Sequence, residues 1–171
     1  MSSQRTLLSA ALLALLVSGC GKSEEAASEA LAEQALEAST GADVDIENED
    51  GVHRVTAQTE QGELVHSSGE NVPLPDGFPT DITLPASYQV MSVMTMGPAT
   101  SVVLRSPEPA SEIFSQLRKG QSGAGWKETM SMQGADGSML GFEKDGRSLL
   151  VNLRDDLDGQ SVVSLSLQAA D

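Results

Sequence analysis

"SPEPASEIFSQLRKGQSGAGW", residues 106–126, is the stretch on which the fold turns. Ser106 is a candidate helix cap, Pro107 suits a first turn, and Glu108 and Glu112 complement the positive end of the helix dipole. Ala110, Ile113, Phe114 and Leu117 fall at i, i+3, i+4, i+7, one apolar face that must bury against something. Gly120, Gly123 and Gly125 are expected to end the helix before Trp126.

What the helix buries against is legible on either side of it. Short alternating runs near 89–96 and 100–105 precede it, joined at Gly97-Pro98, and four more follow near 126–133, 138–143, 147–154 and 161–168. Val163, Leu165 and Leu167 alternate with serines, the pattern of a sheet with one wet face. Asp-Gly occurs five times, and four of these pairs sit between such runs, where positive φ at both positions favours tight hairpins. The expected fold is therefore α+β, one helix on one face of an antiparallel sheet in the order ββαββββ.

Upstream, "NVPLPDGFPTDITLPASYQV", residues 71–90, carries four prolines, which exclude a central strand or a helix interior. It reads as an ordered connector, pinned to the core by Phe78 and Tyr88. Before it, "VDIENEDGVHRVTAQTEQGELVHSS", residues 44–68, gives three short strands, a small β meander. Residues 21–41 are rich in Ala and Glu, with one thin apolar face, and read as a fraying helix or extended spacer. The resulting layout is a leader over 1–19, an acidic tether over 20–41, the meander over 42–72 and an α+β domain over 73–171.

The leader has one basic residue, Arg5, then an apolar run from Leu7 to Val17, then Ser18 and Gly19, the arrangement of a secretory signal. The apolar run is about half of the roughly 20 residues that a membrane-spanning helix needs. Cys20 follows, the only cysteine in the chain. Val17-Ser18-Gly19-Cys20 resembles the lipobox of bacterial lipoproteins. The resemblance implies diacylation of the Cys20 thiol, cleavage before Cys20 and acylation of the new amino group. Several acyl chains hold a protein to a membrane far more firmly than one. The implied location is the cell envelope, facing the periplasm, with Gly21 rather than an aspartate favouring the outer membrane over the inner. With Cys20 so used, no thiol remains for a disulfide or a thiolate metal site.

The net charge of −15 narrows the partners. Between residues 21 and 50 Lys22 is the sole cation among many carboxylates, and no basic stripe follows that could track phosphates, which excludes nucleic acid. The expected partners are the membrane, through Cys20, and another envelope protein.

"LPDGFPTDITLP", the helix ending in Gly125-Trp126 and the later "LGFEKDGRSLLVNL" together resemble a group of small bacterial envelope lipoproteins. Their shared pattern is an FP-x-D-x-x-LP connector, a GW-terminated helix and a Lys-Asp-Gly-Arg-like hairpin. Phe78, Pro79, Asp81, Pro85, Gly125 and Trp126 occupy those positions. The resemblance covers residues 72–168 and implies architecture and compartment, with no biochemistry attached.

Chemistry-bearing constellations are few. Met91, Met94 and Met96 lie in "QVMSVMTM", and Met130 and Met132 in "WKETMSMQ". In a chain with 3% aromatic residues, flexible methionines are expected to fill the core. The alternative is a Cu(I) site in which Met94, Met96, Met130 and Met132 converge beside Trp126, thioethers being soft ligands. That reading requires the two strands to be neighbours and the sulfurs to be exposed. His53 and His66 fall on adjacent meander strands and are expected as surface or cross-strand histidines, the alternative being a zinc set completed by Asp45 or Glu47. "KGQSGAGW" lacks the spacing of a phosphate loop, and its glycines follow a helix instead of opening one. No catalytic residue and no cofactor are expected. The function expected is docking by a noncatalytic, lipid-anchored domain, with an apolar patch on the sheet face opposite the helix as its sign.

Overall fold

A computed structural model describes residues 22–41, 43–60, 62–70, 72–156 and 158–169. The lipobox residues Val17, Ser18, Gly19 and Cys20 lie outside the described residues. Among the described residues two helices and nine strands follow one another as α1 (Lys22–Thr40), β1 (Val44–Glu49), β2 (Val52–Thr59), β3 (Gly62–Gly69), β4 (Gln89–Met96), β5 (Ala99–Ser106), α2 (Ala110–Gly123), β6 (Lys127–Gly134), β7 (Gly137–Lys144), β8 (Arg147–Asp155) and β9 (Ser161–Gln168). All nine strands join one antiparallel sheet in the order β1-β2-β3-β4-β5-β9-β8-β7-β6. The α+β class holds. The meander that precedes the ββαββββ unit is continuous with it in one sheet, because β3 pairs with β4 from Leu64↔Met96 to Ser68↔Ser92.

Turn chemistry accounts for the register. Asp50-Gly51 and Asp145-Gly146 have φ of 50° and 78°, and of 49° and 77°, the double positive φ of a two-residue hairpin that follows the strand twist.

The core lies on one face only. Leu140, Phe142, Leu149, Val151, Leu153, Val163 and Leu165 are almost wholly buried on the face that carries Ile113, Phe114 and Leu117 of α2, and Val102 and Leu104 of β5 join the same cluster. Each such side chain contributes about 1.5–3 kcal/mol by leaving water.

The helix begins later than its sequence suggests. Pro109 is extended, at φ −60° and ψ 143°, so Ala110 is the first helical residue and Ser106 does not cap it. Ser106 Oγ accepts the Glu108 N–H in a local turn, while the Ala110 N–H donates to Asp155 Oδ1 at 2.9 Å, a cap from the end of β8. The three glycines also divide their roles. Gly125, at φ 86°, closes the end, whereas Gly120 sits inside the helix because Thr83 lies where its Cβ would be, 2.5 Å away.

Of the two residues expected to dock the connector, Phe78 packs against the core and Tyr88 is exposed. Val72 and Ile82 are buried in the core, with Leu74 and Leu84 packed against it. Gln121, fully buried in α2, reads the connector backbone twice: its Oε1 accepts the Thr83 N–H (3.2 Å) and its Nε2 donates to the Thr83 carbonyl (3.0 Å). The resemblance motifs meet at this place. Trp126 Nε1 donates to the Asp81 carbonyl (2.9 Å), and the Asp81 carboxylate receives Arg147 through both oxygens and Lys144 through one. The Arg147 guanidinium lies 4.8 Å from the Trp126 ring centroid, in cation–π range.

Residues 22–40, expected as a fraying helix or spacer, form α1 alongside β1. The Ile46 N–H donates to Glu33 Oε1 (2.8 Å), the Val44 N–H reaches Glu37 Oε1 (3.5 Å), and the Asn48 side-chain amide donates to Glu29. Four residues of helix rise about 6.0 Å and two of strand about 6.7 Å. Glutamates at every fourth position therefore keep step with the outward amides of every second one. The unpaired edge of β1 is thereby covered, an edge that would otherwise invite another strand.

Candidate functional site: the open face of the sheet

The face that α2 does not cover is the place where sequence expectation and structure part most sharply. None of the core side chains is a methionine. Met94, Met96, Met130 and Met132 are 42%, 37%, 36% and 60% exposed. The expectation that methionines fill the core is thus corrected. The cause is strand parity: Val93 pairs with Val102 on the helix side, which turns Met94, opposite Ser101, to the other face. On β6, Ser131 takes the helix-side parity of Leu140, leaving Met130 and Met132 outward.

The pairing register lays these residues in rows across the sheet. One row runs His66, Met94, Ser101, Ser166, Leu150, Gly141, Met130; the next runs Leu64, Met96, Ala99, Gln168, Ser148, Glu143. A concavity of about 420 Å³ follows these rows, lined by Met94, Met96, Ser101, Leu150, Ser166 and Met130 among others. A second, of about 470 Å³, holds Met132 and Met139 with Asn152 and Val162. Together they make an apolar trough with a floor of serines, larger in extent than a single surface methionine accounts for.

The four-sulfur copper set does not assemble. Strands β4 and β6 are not neighbours: β5, β9, β8 and β7 lie between them, which on a flat sheet is about 24 Å. Met94 and Met130 therefore line opposite ends of one trough, and Met132 lines the next concavity. Trp126, expected beside the sulfurs, is buried on the helix side. The zinc reading fails on parity as well. Asp45 and Glu47 point to the face opposite His53 and His66, since Asp45 pairs with Thr56 and Glu47 with Arg54 while His66 pairs with Val55. Among the described residues, no group of three or more His, Cys, Asp and Glu side chains could hold a metal ion. His53 is occupied instead: its Nδ1 bonds Asn48 Oδ1.

The most perturbed acid belongs to the fold. Hydrogen bonds from Arg147, then from Lys144, hold the Asp81 carboxyl far below the usual carboxylate range. It ties the connector that carries it to the hairpin between β7 and β8, so this is a latch. Ser161 Oγ, 2.6 Å from the Glu108 carbonyl and 3.0 Å from Asp155 Oδ1, is a buried serine beside a carboxylate, but both serve the cap of α2.

Sequence reasoning missed the glutamate ladder, although Glu29, Glu33 and Glu37 at i, i+4, i+8 before a short strand were its signal. Among the described residues no helix is long and apolar enough to cross a membrane. No family model, no curated protein and no solved structure matches the chain.

Proposed function

We propose that the chain is a lipid-anchored bacterial envelope protein whose noncatalytic domain docks another envelope protein on the open face of its sheet. The anchor rests on the leader and Cys20. Replacing Cys20 with serine is expected to move the protein from the membrane to the soluble fraction. Retention on the membrane would refute the anchor.

The observation that carries the docking reading is the segregation of methionine, absent from the packed core and exposed around one trough. Exposed, flexible thioether side chains adapt to apolar partners that rigid side chains would fit only in one shape. The occupant that suits the trough is an amphipathic helix with an apolar stripe and basic flanks. The stripe matches the methionines and Leu150, and the flanks match a chain of net charge −15.

A leucine–lysine amphipathic peptide of 18 residues, and a scrambled peptide of the same composition without an apolar face, test this directly. With the ε-methyls of methionine observed by NMR, the first is expected to shift Met94, Met96 and Met130, and the scrambled one is not. Equal shifts from both peptides would reduce the face to general electrostatics and overturn the reading. A second reading, a lipoprotein that binds Cu(I), is favoured by the exposure of the thioethers, though through a different set of ligands.

A further inference from the structure

We infer that His66, Met94 and Met96 form a site for one soft monovalent cation of the Cu(I) class at the junction of β3 and β4. The inference rests on the second reading above and replaces its ligands. It stands whether or not a helix docks in the trough. Register supplies the first argument. His66 lies directly opposite Met94, and Met96 is the next residue on the same face of β4. Directly opposed residues place their Cβ atoms about 4.5–5.5 Å apart, and diagonal ones about 7–8 Å. A d10 ion with ligand bonds of about 2.0–2.3 Å needs its donors within roughly 4 Å of one another. Three rotatable bonds in each methionine span that difference.

The surroundings supply the second. On β5, Ser101 stands opposite Met94 and Ala99 opposite Met96, so no bulky neighbour from that side covers the thioethers. On the other side Val55 pairs with His66 and Ala57 with Leu64, which faces Met96. No lysine or arginine stands in these two rows from β2 to β5 to repel a cation, and the chain as a whole is acidic. No carboxylate stands in them either, which removes the oxygen donors that calcium or magnesium require. Two neutral thioethers and an imidazole are a soft set that selects Cu(I) over zinc.

The other candidate donors lie further off. His53, diagonal to His66 on β2, is drawn towards β1 by the bond between its Nδ1 and Asn48. Met130 lies at the other end of the trough.

The test titrates Ag(I), a redox-inert stand-in, into the exported chain with labelled methionine methyls, then measures Cu(I) affinity anaerobically by competition with bicinchoninate. One equivalent is expected to saturate the shifts of Met94, Met96 and the His66 ring protons together, with Met130, Met132 and Met139 unmoved. Met94→Leu, Met96→Leu and His66→Gln should each weaken Cu(I) binding about tenfold or more, the scale on which a metal site responds to losing a supporting group. The Met130→Leu/Met132→Leu double variant should leave it unchanged. Leucine at these exposed positions keeps volume and shape, so folding is retained, and Trp126 fluorescence checks that it is. A uniform, unsaturable response of all the methionines would overturn the site. So would undiminished affinity in the Met94→Leu/Met96→Leu chain or in His66→Gln. None of these outcomes bears on helix docking, which the peptide titration reads separately.

Discussion

Asp81→Asn removes one charge from the latch and almost nothing from its shape. Three charge-assisted bonds end on this carboxylate: Arg147 Nη1 at 3.0 Å, Arg147 Nη2 at 2.7 Å and Lys144 Nζ at 2.7 Å. Fully buried, each would be worth about 1.5–3 kcal/mol. The side chain keeps 28% of its exposure, however, so water recovers part of that, and exposed pairs are worth only about 0.2–1 kcal/mol. The loss expected at pH 7 lies between, at about 1–3 kcal/mol for the whole carboxylate.

The pH dependence has a definite sign. Because the folded state lowers the Asp81 pKa, its contribution is complete above the unfolded value of about 3.9 and is lost as pH falls towards the folded one. The gap between parent and variant should therefore shrink by about 1 kcal/mol between pH 7 and pH 3. Urea unfolding followed by Trp126, the sole tryptophan, measures both. A double-mutant cycle with Arg147→Gln separates the pair from the stacking of Arg147 on Trp126. A coupling below about 0.5 kcal/mol, the value of an ordinary surface pair, would refute the latch, as would a gap independent of pH.

Gly120→Ala should destabilise by about 1–3 kcal/mol, because the new methyl meets Thr83 at 2.5 Å. Gly123→Ala, with open space around it, should instead stabilise by up to about 1 kcal/mol, as alanine does in an ordinary helix. Thermal melts of the two variants give opposite shifts if the connector is seated as described. Glu33→Ala should lower the melting temperature of the core by no more than about 4 °C, since losing one partly exposed hydrogen bond costs about 1 kcal/mol or less. It should nevertheless accelerate hydrogen exchange at the Ile46 amide. Unchanged exchange there would mean that the carboxylate does not protect the edge.

Much of the architecture could be read before the structure, for a physical reason. Asp-Gly turns and period-2 alternation are local signals, and β9 with its Val163, Leu165 and Leu167 needs no distant partner to declare its buried face. The methionines did not declare theirs. Whether Met94 or Val93 faces the helix is decided by pairing with β5, and a bulge between Val90 and Ser92 resets parity within β4 itself. Distance also hid the cap of α2, since Asp155 lies 45 residues from Ala110. The extended Pro109 excluded the nearby serine from that role. The glutamate ladder depends on a helix lying beside an edge, a relation between elements that no single window of sequence contains. For the candidate site, the residue types were legible, but the sheet order separating β4 from β6 was not.

Strand β9 is the keystone. β9 pairs with β5 on one side and β8 on the other, so it alone joins the five strands made first to the three hairpin-linked strands that follow α2. A chain delivered N-terminus first can zip β1 to β5 as a ladder of neighbours, but that ladder ends at an unpaired edge until residues 161–168 emerge. Closing it spans more than fifty residues, a slow, long-range step compared with the hairpins on either side. Truncation by a dozen residues would leave two half-sheets with raw edges rather than a slightly shorter domain. Strand β9 thus decides whether the sheet is one body or two halves.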